Sequence, residues 1–149
     1  MISGDKTEVS RGLSDYWIVK IDVDGNILWD KTYGGNLEDD LKHVIQTTDG
    51  GYLLGGISRS SISGDKTEPS RINYDYWILK LNSTGSLVWQ KTIGGNAADY
   101  VSEVKQLQDG TYLVSGHSQS PISGDKTQNT NGDYDIWLVN LSTTGQILK

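Results

Sequence analysis

A gapless tandem repeat constrains this chain more than any other feature. Laid on itself at an offset of 60 residues, the sequence aligns without insertion, and about half of the comparable positions are identical. ISGDKT runs from Ile2 to Thr7, from Ile62 to Thr67 and from Ile122 to Thr127. Asp15-Tyr16-Trp17 recurs as Asp75-Tyr76-Trp77 and as Asp135-Ile136-Trp137. The segment Trp29 to Asn36 (WDKTYGGN) recurs at Trp89 to Asn96 (WQKTIGGN), and Thr48 to Ser58 recurs at Gln108 to Ser118. The 149 residues therefore hold about two and a half units. Self-similarity on this scale marks solenoids, propellers or arrays, in which each unit buries its apolar face against its neighbour.

One unit reads as four strands. Leu41 to Thr48 is the first and Tyr52 to Ser58 the second, joined by Asp49-Gly50-Gly51. Asp-Gly between two apolar runs is a hairpin signal, because Gly supplies the positive φ of the turn. A polar loop from Arg59 to Asn73 leads to a third strand, Tyr76 to Asn82, and Ser83-Thr84-Gly85 turns into a fourth, Leu87 to Ile93. No stretch combines a 3.6-residue apolar period with helix caps, so almost no helix is predicted. In the first unit's third strand, Ser14 to Asp22, Trp17, Val19 and Ile21 fall on one face and Tyr16 and Ile18 on the other, so both faces are expected to be covered. A four-stranded unit covered on both sides and repeated in tandem suits a propeller blade. The expected fold is all-β: a partial β-propeller of four-stranded antiparallel blades, with an open array of sheets as the alternative. Polar Lys42, Gln46 and Thr47 mark Leu41 to Thr48 as the innermost strand, which makes Leu87 to Ile93 the outermost. Residues 1–40 form a half blade, 41–100 a full one and 101–149 a nearly full one. Lys149 stands where Trp29 and Trp89 stand in their units. Such a set cannot close a ring, so a fragment of a longer propeller is expected, or one completed by copies of itself. Its end faces would carry Trp and Tyr and be sticky.

Composition removes several functions. There is no Cys, which excludes disulfides, thiolate metal sites and a Cys nucleophile. The net charge is -6 and the pI about 4.7, the wrong balance for a nucleic-acid partner. No apolar run approaches the roughly 20 residues of a membrane span, so no membrane insertion is expected. His43 and His117 are the two histidines, and neither recurs in the repeat, so no Ser–His–Asp arrangement can be argued from them.

In a propeller the SGDKT loops and the Gly-Gly-Asn loops would share one rim, opposite the Asp-Gly hairpin turns. Long loops on a rigid scaffold usually carry function, so this rim is the candidate ligand surface. Its residues are Asp5, Lys6, Asp65, Lys66, Asp125 and Lys126, with Asp39 and Asp99 from the other loops. The competing reading is a structural turn in which Gly bends the chain, Asp accepts backbone N–H bonds and Lys sits in water. Calcium needs about six to eight oxygens, and one retained Asp per loop supplies few of them. Calcium is thus a minor option, and no other cofactor is expected. Asp22, Asp24 and Asn26 imitate the start of a calcium loop, but the other units lack those acids, which favours an ordinary turn. Trp17, Trp29, Trp77, Trp89 and Trp137 are expected in the packing between blades, since aromatics of this size bury about 150–250 Å² each. Asp15, Asp75 and Asp135 are expected to anchor the entry from loop to strand.

The ordered motifs SGDKTE, DYWIVK, GNILWDKTYGGN and QTTDGGYLLGG resemble the repeats of large secreted or surface proteins of Bacteroidetes-type bacteria, which often end in a type IX sorting domain. The resemblance covers essentially the whole chain and implies a β-propeller-like fold outside the cell or on its surface, with no catalytic residues to carry over. More distantly, the fourth-strand Trp is similar to the tryptophan repeats of quinone-dependent alcohol dehydrogenase propellers. The function expected is a non-enzymatic scaffold or binding surface, with a protein or glycan as ligand. The alternatives are a carbohydrate-binding module with one weak site per blade at the SGDKT rim and, behind it, part of a quinone-dependent or hydrolytic enzyme.

Overall fold

A computed structural model describes residues 4–148. Ile2, at the start of the first ISGDKT copy, and Lys149, at the repeat position of the strand tryptophans, lie outside these residues. Nine strands and no helix occur among the described residues: β1 (Tyr16–Ile21), β2 (Ile27–Tyr33), β3 (Asp39–Gln46), β4 (Tyr52–Ser58), β5 (Asp75–Leu81), β6 (Leu87–Ile93), β7 (Asp99–Gln106), β8 (Tyr112–Ser118) and β9 (Asp135–Leu141). They form three antiparallel sheets, ordered β1-β2, β3-β4-β5-β6 and β7-β8-β9. The protein is all-β, and among the described residues no sheet closes on itself.

The second and fourth strands of the repeat have the boundaries the sequence predicts. The first begins two residues early, at Asp39, and ends at Gln46. The third starts at Asp75, because the loop entry already pairs with β4 through Ser58. Thr47 and Gly51 close the β3–β4 hairpin, and Gly50 turns it at φ 79°. β3 and β6 are the two edges of the middle sheet.

The sheets pack face to face through two apolar layers. Between the first and middle sheets lie Tyr16, Ile18 and Tyr33 from one side and Leu54, Trp77, Leu79 and Leu81 from the other. Between the middle and third sheets lie Leu53, Tyr76, Ile78 and Ile93 against Val101, Val104, Tyr112, Val114, Val139 and Leu141. Alternation along β5 thus sends odd residues to one neighbour and even residues to the other, and all seven are buried.

Each layer repeats the same contacts. Tyr16 packs on Trp77 with ring centroids 4.9 Å apart and donates its hydroxyl to the Trp77 carbonyl at 3.0 Å. Tyr76 does the same to Trp137, at 5.1 Å and 3.3 Å. The hydroxyl fits because Gly56 faces Tyr16: a Cβ there would sit 2.4 Å from Tyr16 Oη and 2.2 Å from the Asp40 carbonyl. Trp29 meets Tyr52 and Trp89 meets Tyr112 at the other end of each layer.

Two expectations about packing need correction. β1 is covered on one face only: Trp17 is 43% exposed and Ile21 58%, because among the described residues no sheet lies beyond them. Trp17 is therefore outside the packing between sheets, whereas Trp77 is fully buried there and Trp29, Trp89 and Trp137, although half-buried, pack against the two layers as expected. The uncovered face of the third sheet presents Ile136 and Leu138, with Tyr100 and Tyr134 at its end.

Candidate functional site

The connections β2–β3, β4–β5, β6–β7 and β8–β9 leave the sheets at one end, and there the SGDKT loop of each unit closes on the Gly-Gly-Asn loop of the unit before it. Asp65 donates its N–H to the Gly34 carbonyl at 2.9 Å, and its carboxylate accepts the Gly34 N–H at 3.1 Å and Arg11 Nε at 2.6 Å. Asp125 repeats the clamp with the Gly94 carbonyl at 3.0 Å, the Gly94 N–H at 3.1 Å and Arg71 Nη2 at 2.9 Å. Burial raises the Asp65 carboxyl above its ordinary range, and the Gly34 N–H and Arg11 work against that rise. Asp5 is exposed.

Asp39 and Asp99 are buried and face their own loops. Asp39 accepts the Gly35 N–H at 2.7 Å and the Ser60 hydroxyl at 2.9 Å, and Asp99 accepts the Gly95 N–H and the Ser120 hydroxyl. They brace the turn into the first strand of each unit. Asp15, Asp75 and Asp135 anchor the loop-to-strand entry, accepting the N–H of Arg11, Arg71 and Asn131. Burial pushes the Asp75 carboxyl up to about 6, against the pull of Arg71 and Lys66.

The lysines depart from expectation. Lys66 and Lys126 are 1% and 5% exposed and do not sit in water. The Lys66 ammonium lies 5.0 Å from the Trp77 ring centroid and donates to Thr92 Oγ1 at 2.6 Å. Lys126 lies 5.6 Å from the Trp137 ring centroid. Each Trp thus stacks between the previous unit's Tyr and its own unit's ammonium, a cation–π contact that gains strength on desolvation. Burial lowers Lys66 to about 8 although Asp39, Asp75 and Glu68 favour its charge. Lys6 is half-buried and donates to Ser10 Oγ.

The same loop shields the outer edge of the fourth strand. Glu8 accepts the Thr32 N–H and Lys31 Nζ, and Glu68 accepts the Thr92 N–H and Lys91 Nζ, at 2.7–3.0 Å. An outermost strand would otherwise offer free N–H groups to another chain. The apparent calcium loop is a turn: Asp22, Asn82 and Ser142 each accept N–H bonds from the residues two and four positions on. Among the described residues no group of three or more His, Asp and Glu side chains gathers in metal-binding geometry. No described helix is long and apolar enough to cross a membrane.

One cluster escaped the repeat logic. Tyr100 and His117 are cross-strand partners on β7 and β8 and stack at 5.3 Å. Tyr134 meets His117 edge-on at 5.1 Å and Tyr74 meets Tyr100 at 5.6 Å, with the Arg59 guanidinium 5.3 Å from the Tyr74 ring centroid. The cluster sits at the rim end and Tyr134 is 48% exposed. The available signal was departure from the repeat, since Tyr100 and His117 replace Asp40 and Ile57.

No protein-family model matches the chain, and no curated protein matches it significantly.

Proposed function

We propose that this chain is a segment of β-propeller-like repeat acting as a non-enzymatic scaffold or binding surface of a secreted or cell-surface bacterial protein. The observation that carries the reading is the clamp repeated at both unit junctions. The polar residues that recur in every unit, Asp65 and Asp125, Asp39 and Asp99, Lys66 and Lys126, are directed at backbone and aromatic partners within the fold. Asp65 and Asp125 tie each unit to the one before it, Asp39 and Asp99 brace their own loops, and Lys66 and Lys126 lie on the Trp of their own sheet. The face-to-face order of the sheets, with the inner-type strands β3 and β7 adjacent, supports a blade-like arrangement. Partners of matching shape are further sheets of the same kind or copies of this chain. The motif resemblance supports the bacterial surface setting.

The test is a broad screen of the purified chain against hydrolase and quinone-dependent oxidoreductase substrates, with and without calcium. No turnover is expected. Turnover abolished by Asp75→Asn or His43→Ala would refute the scaffold reading.

One observation favours glycan binding as a second reading, and it moves the site. The Tyr100, His117 and Tyr134 rings offer a stacking platform for the C–H face of a pyranose, with Arg59 as a donor beside it. A glycan array should then report binding that Tyr134→Ala removes and Asp125→Asn leaves intact. A silent array removes this reading.

A further inference from the structure

We infer that Asn131 is a site of covalent self-modification: its side-chain amide is lost through a cyclic imide formed with Gly132, leaving aspartate and isoaspartate. The inference does not rest on the scaffold reading, because it concerns one loop and its own chemistry.

The reaction needs an asparagine side chain that can turn back on the next backbone nitrogen, and a following residue that does not block the approach. The chain has eight asparagines, and the fold sorts them. Asn26 donates its amide to Asp22 at 2.9 Å. Asn36, Asn82, Asn96 and Asn129 accept hydrogen bonds on their side-chain oxygens from Ser61, Thr84, Ser123 and Ile122 in turn. Asn73 precedes Tyr74, which is pinned by its ring against Tyr100 and by its carbonyl to the Asp99 N–H at 2.7 Å. Asn140 lies inside β9, paired with β8. Asn131 alone precedes a glycine, and its side chain has no hydrogen-bond partner among the described residues. Its backbone N–H is the group that is engaged, by Asp135 at 2.5 Å.

Asn131 and Gly132 are exposed and lie in a bend of the β8–β9 loop. Their equivalents in the middle unit, which has a sheet on either side, are Arg71 and Ile72. Both are exposed, Ile72 at 75%, so the loop tip meets water inside the array as well. Gly132 presents no Cβ to the approaching carbon.

The Gly132 backbone nitrogen gives its proton to water and attacks Asn131 Cγ. The new C–N bond closes a succinimide ring, the bond from Cγ to the amide nitrogen breaks, and ammonia leaves with a proton taken back from water. A water molecule then adds to one of the two ring carbonyls. Opening on one side gives aspartate with the main chain unchanged. Opening on the other gives isoaspartate, whose main chain runs through the side-chain carbon. Either product sets a carboxylate near Asp133 and Asp135, where like charges repel. Isoaspartate also lengthens the main chain inside the turn that anchors Asp135, so the entry to β9 loosens.

The test incubates the purified chain at mildly alkaline pH and follows its proteolytic peptides by chromatography and mass spectrometry. The peptide holding residue 131 should split into two products of equal mass, each with NH2 exchanged for OH. The other asparagines should react at least about tenfold more slowly, a barrier difference of about 1.4 kcal/mol. The loss should run within about threefold of that in the free peptide of residues 128–135, because an exposed loop tip is little restrained. Gly132→Ala is accommodated, since Gly132 has no positive φ and the middle unit carries Ile72 there. It should slow the loss about tenfold and leave the unfolding midpoint unchanged. Amide exchange at residues 131–135 should quicken in the incubated parent and not in Gly132→Ala; equal exchange in the two would deny the loosening. The inference is overturned if the folded chain keeps its Asn131 amide while the free peptide loses it, if another asparagine reacts as fast, or if Gly132→Ala reacts at the parent rate.

Discussion

β5 and β9 carry related sequences one repeat apart and live in different surroundings. Along β5, Tyr76, Trp77, Ile78 and Leu79 are all at 0% exposure. Their counterparts on β9 include Ile136 at 83% and Leu138 at 58%, while Val139 and Leu141 stay buried. β1 shows the converse, with Tyr16 at 0% and Trp17 at 43%. The pattern of the strand is the same in each case, and the neighbour decides which half of it is buried. In a stacked array the hydrophobic contribution of a residue belongs to the junction between sheets and not to the unit that encodes it. The faces left open at the two ends, Trp17 with Ile21 and Ile136 with Leu138, are the two kinds of face that pair inside.

The comparison breaks first at the tryptophans. Trp77→Ala removes a fully buried ring and should destabilise by about 3–5 kcal/mol, whereas Trp17→Ala, at an open face, should cost about 1 kcal/mol. Equal midpoints for the two variants in urea unfolding would deny the difference in burial. Gly56→Ala should cost about 1–3 kcal/mol, because its Cβ collides with the Asp40 carbonyl and the Tyr16 hydroxyl. Unchanged thermal stability would mean the layer is looser than described. Tyr16→Phe keeps the ring and deletes one hydroxyl bond to Trp77, for about 1 kcal/mol. The penalty should largely persist in a Trp77→Ala background, because the acceptor is the Trp77 backbone carbonyl, which that substitution keeps.

A pH profile sharpens the account further. Asp75 is raised by burial to about 6 from an ordinary 3.8, so the folded state holds its proton more tightly than the unfolded state. The stability this group contributes is fully present below about pH 3.8 and is lost as pH rises through 6. Asp49 has the opposite sign, held well below the usual carboxylate range by the buried Lys80 ammonium and the Thr47 hydroxyl, so its contribution is lost on acidification. Asp75→Asn should flatten the decline between pH 4 and 6 in denaturant titrations. An unchanged slope would place Asp75 in contact with water. The smallest effect is expected at the open face: Ile136→Ser should shift unfolding by about 0.5 kcal/mol or less. A loss of 2 kcal/mol there would show that the face is covered in solution.

Much of this was legible in the sequence, for definite reasons. The offset of 60 placed equivalent strands, and the Asp-Gly and Thr-Gly pairs placed the hairpins, because positive φ at Gly is a local demand. The antiparallel order followed from short turns. Asp39, Asp75 and Asp22 were readable as loop-bracing acceptors, since Asp beside Gly-rich backbone finds N–H groups close by. Lys66 and Lys126 were not readable that way. Whether a Lys after Gly-Asp reaches water or folds back over a Trp depends on a ring ten or more residues on, and nothing local encodes it. The exposure of Trp17 was equally hidden, because the repeat assigns it the same environment as Trp77. Tyr100, His117 and Tyr134 lie far apart in the chain, and only the pairing of β7 with β8 and of β8 with β9 brings them together. The failure of Tyr100 and His117 to repeat was the visible trace, whereas Tyr134 repeats Tyr74.

The most direct test of the claim that junction-type faces stand open at both ends is native mass by light scattering coupled to size exclusion, over a wide range of concentration. It should be run on the chain and on the variant Trp17→Asp with Leu138→Asp. The account predicts that the mass of the unmodified chain rises above that of a single chain as concentration increases, and that the variant stays at one chain throughout. A single-chain mass at every concentration for both proteins, or association of the variant equal to that of the parent, would contradict it.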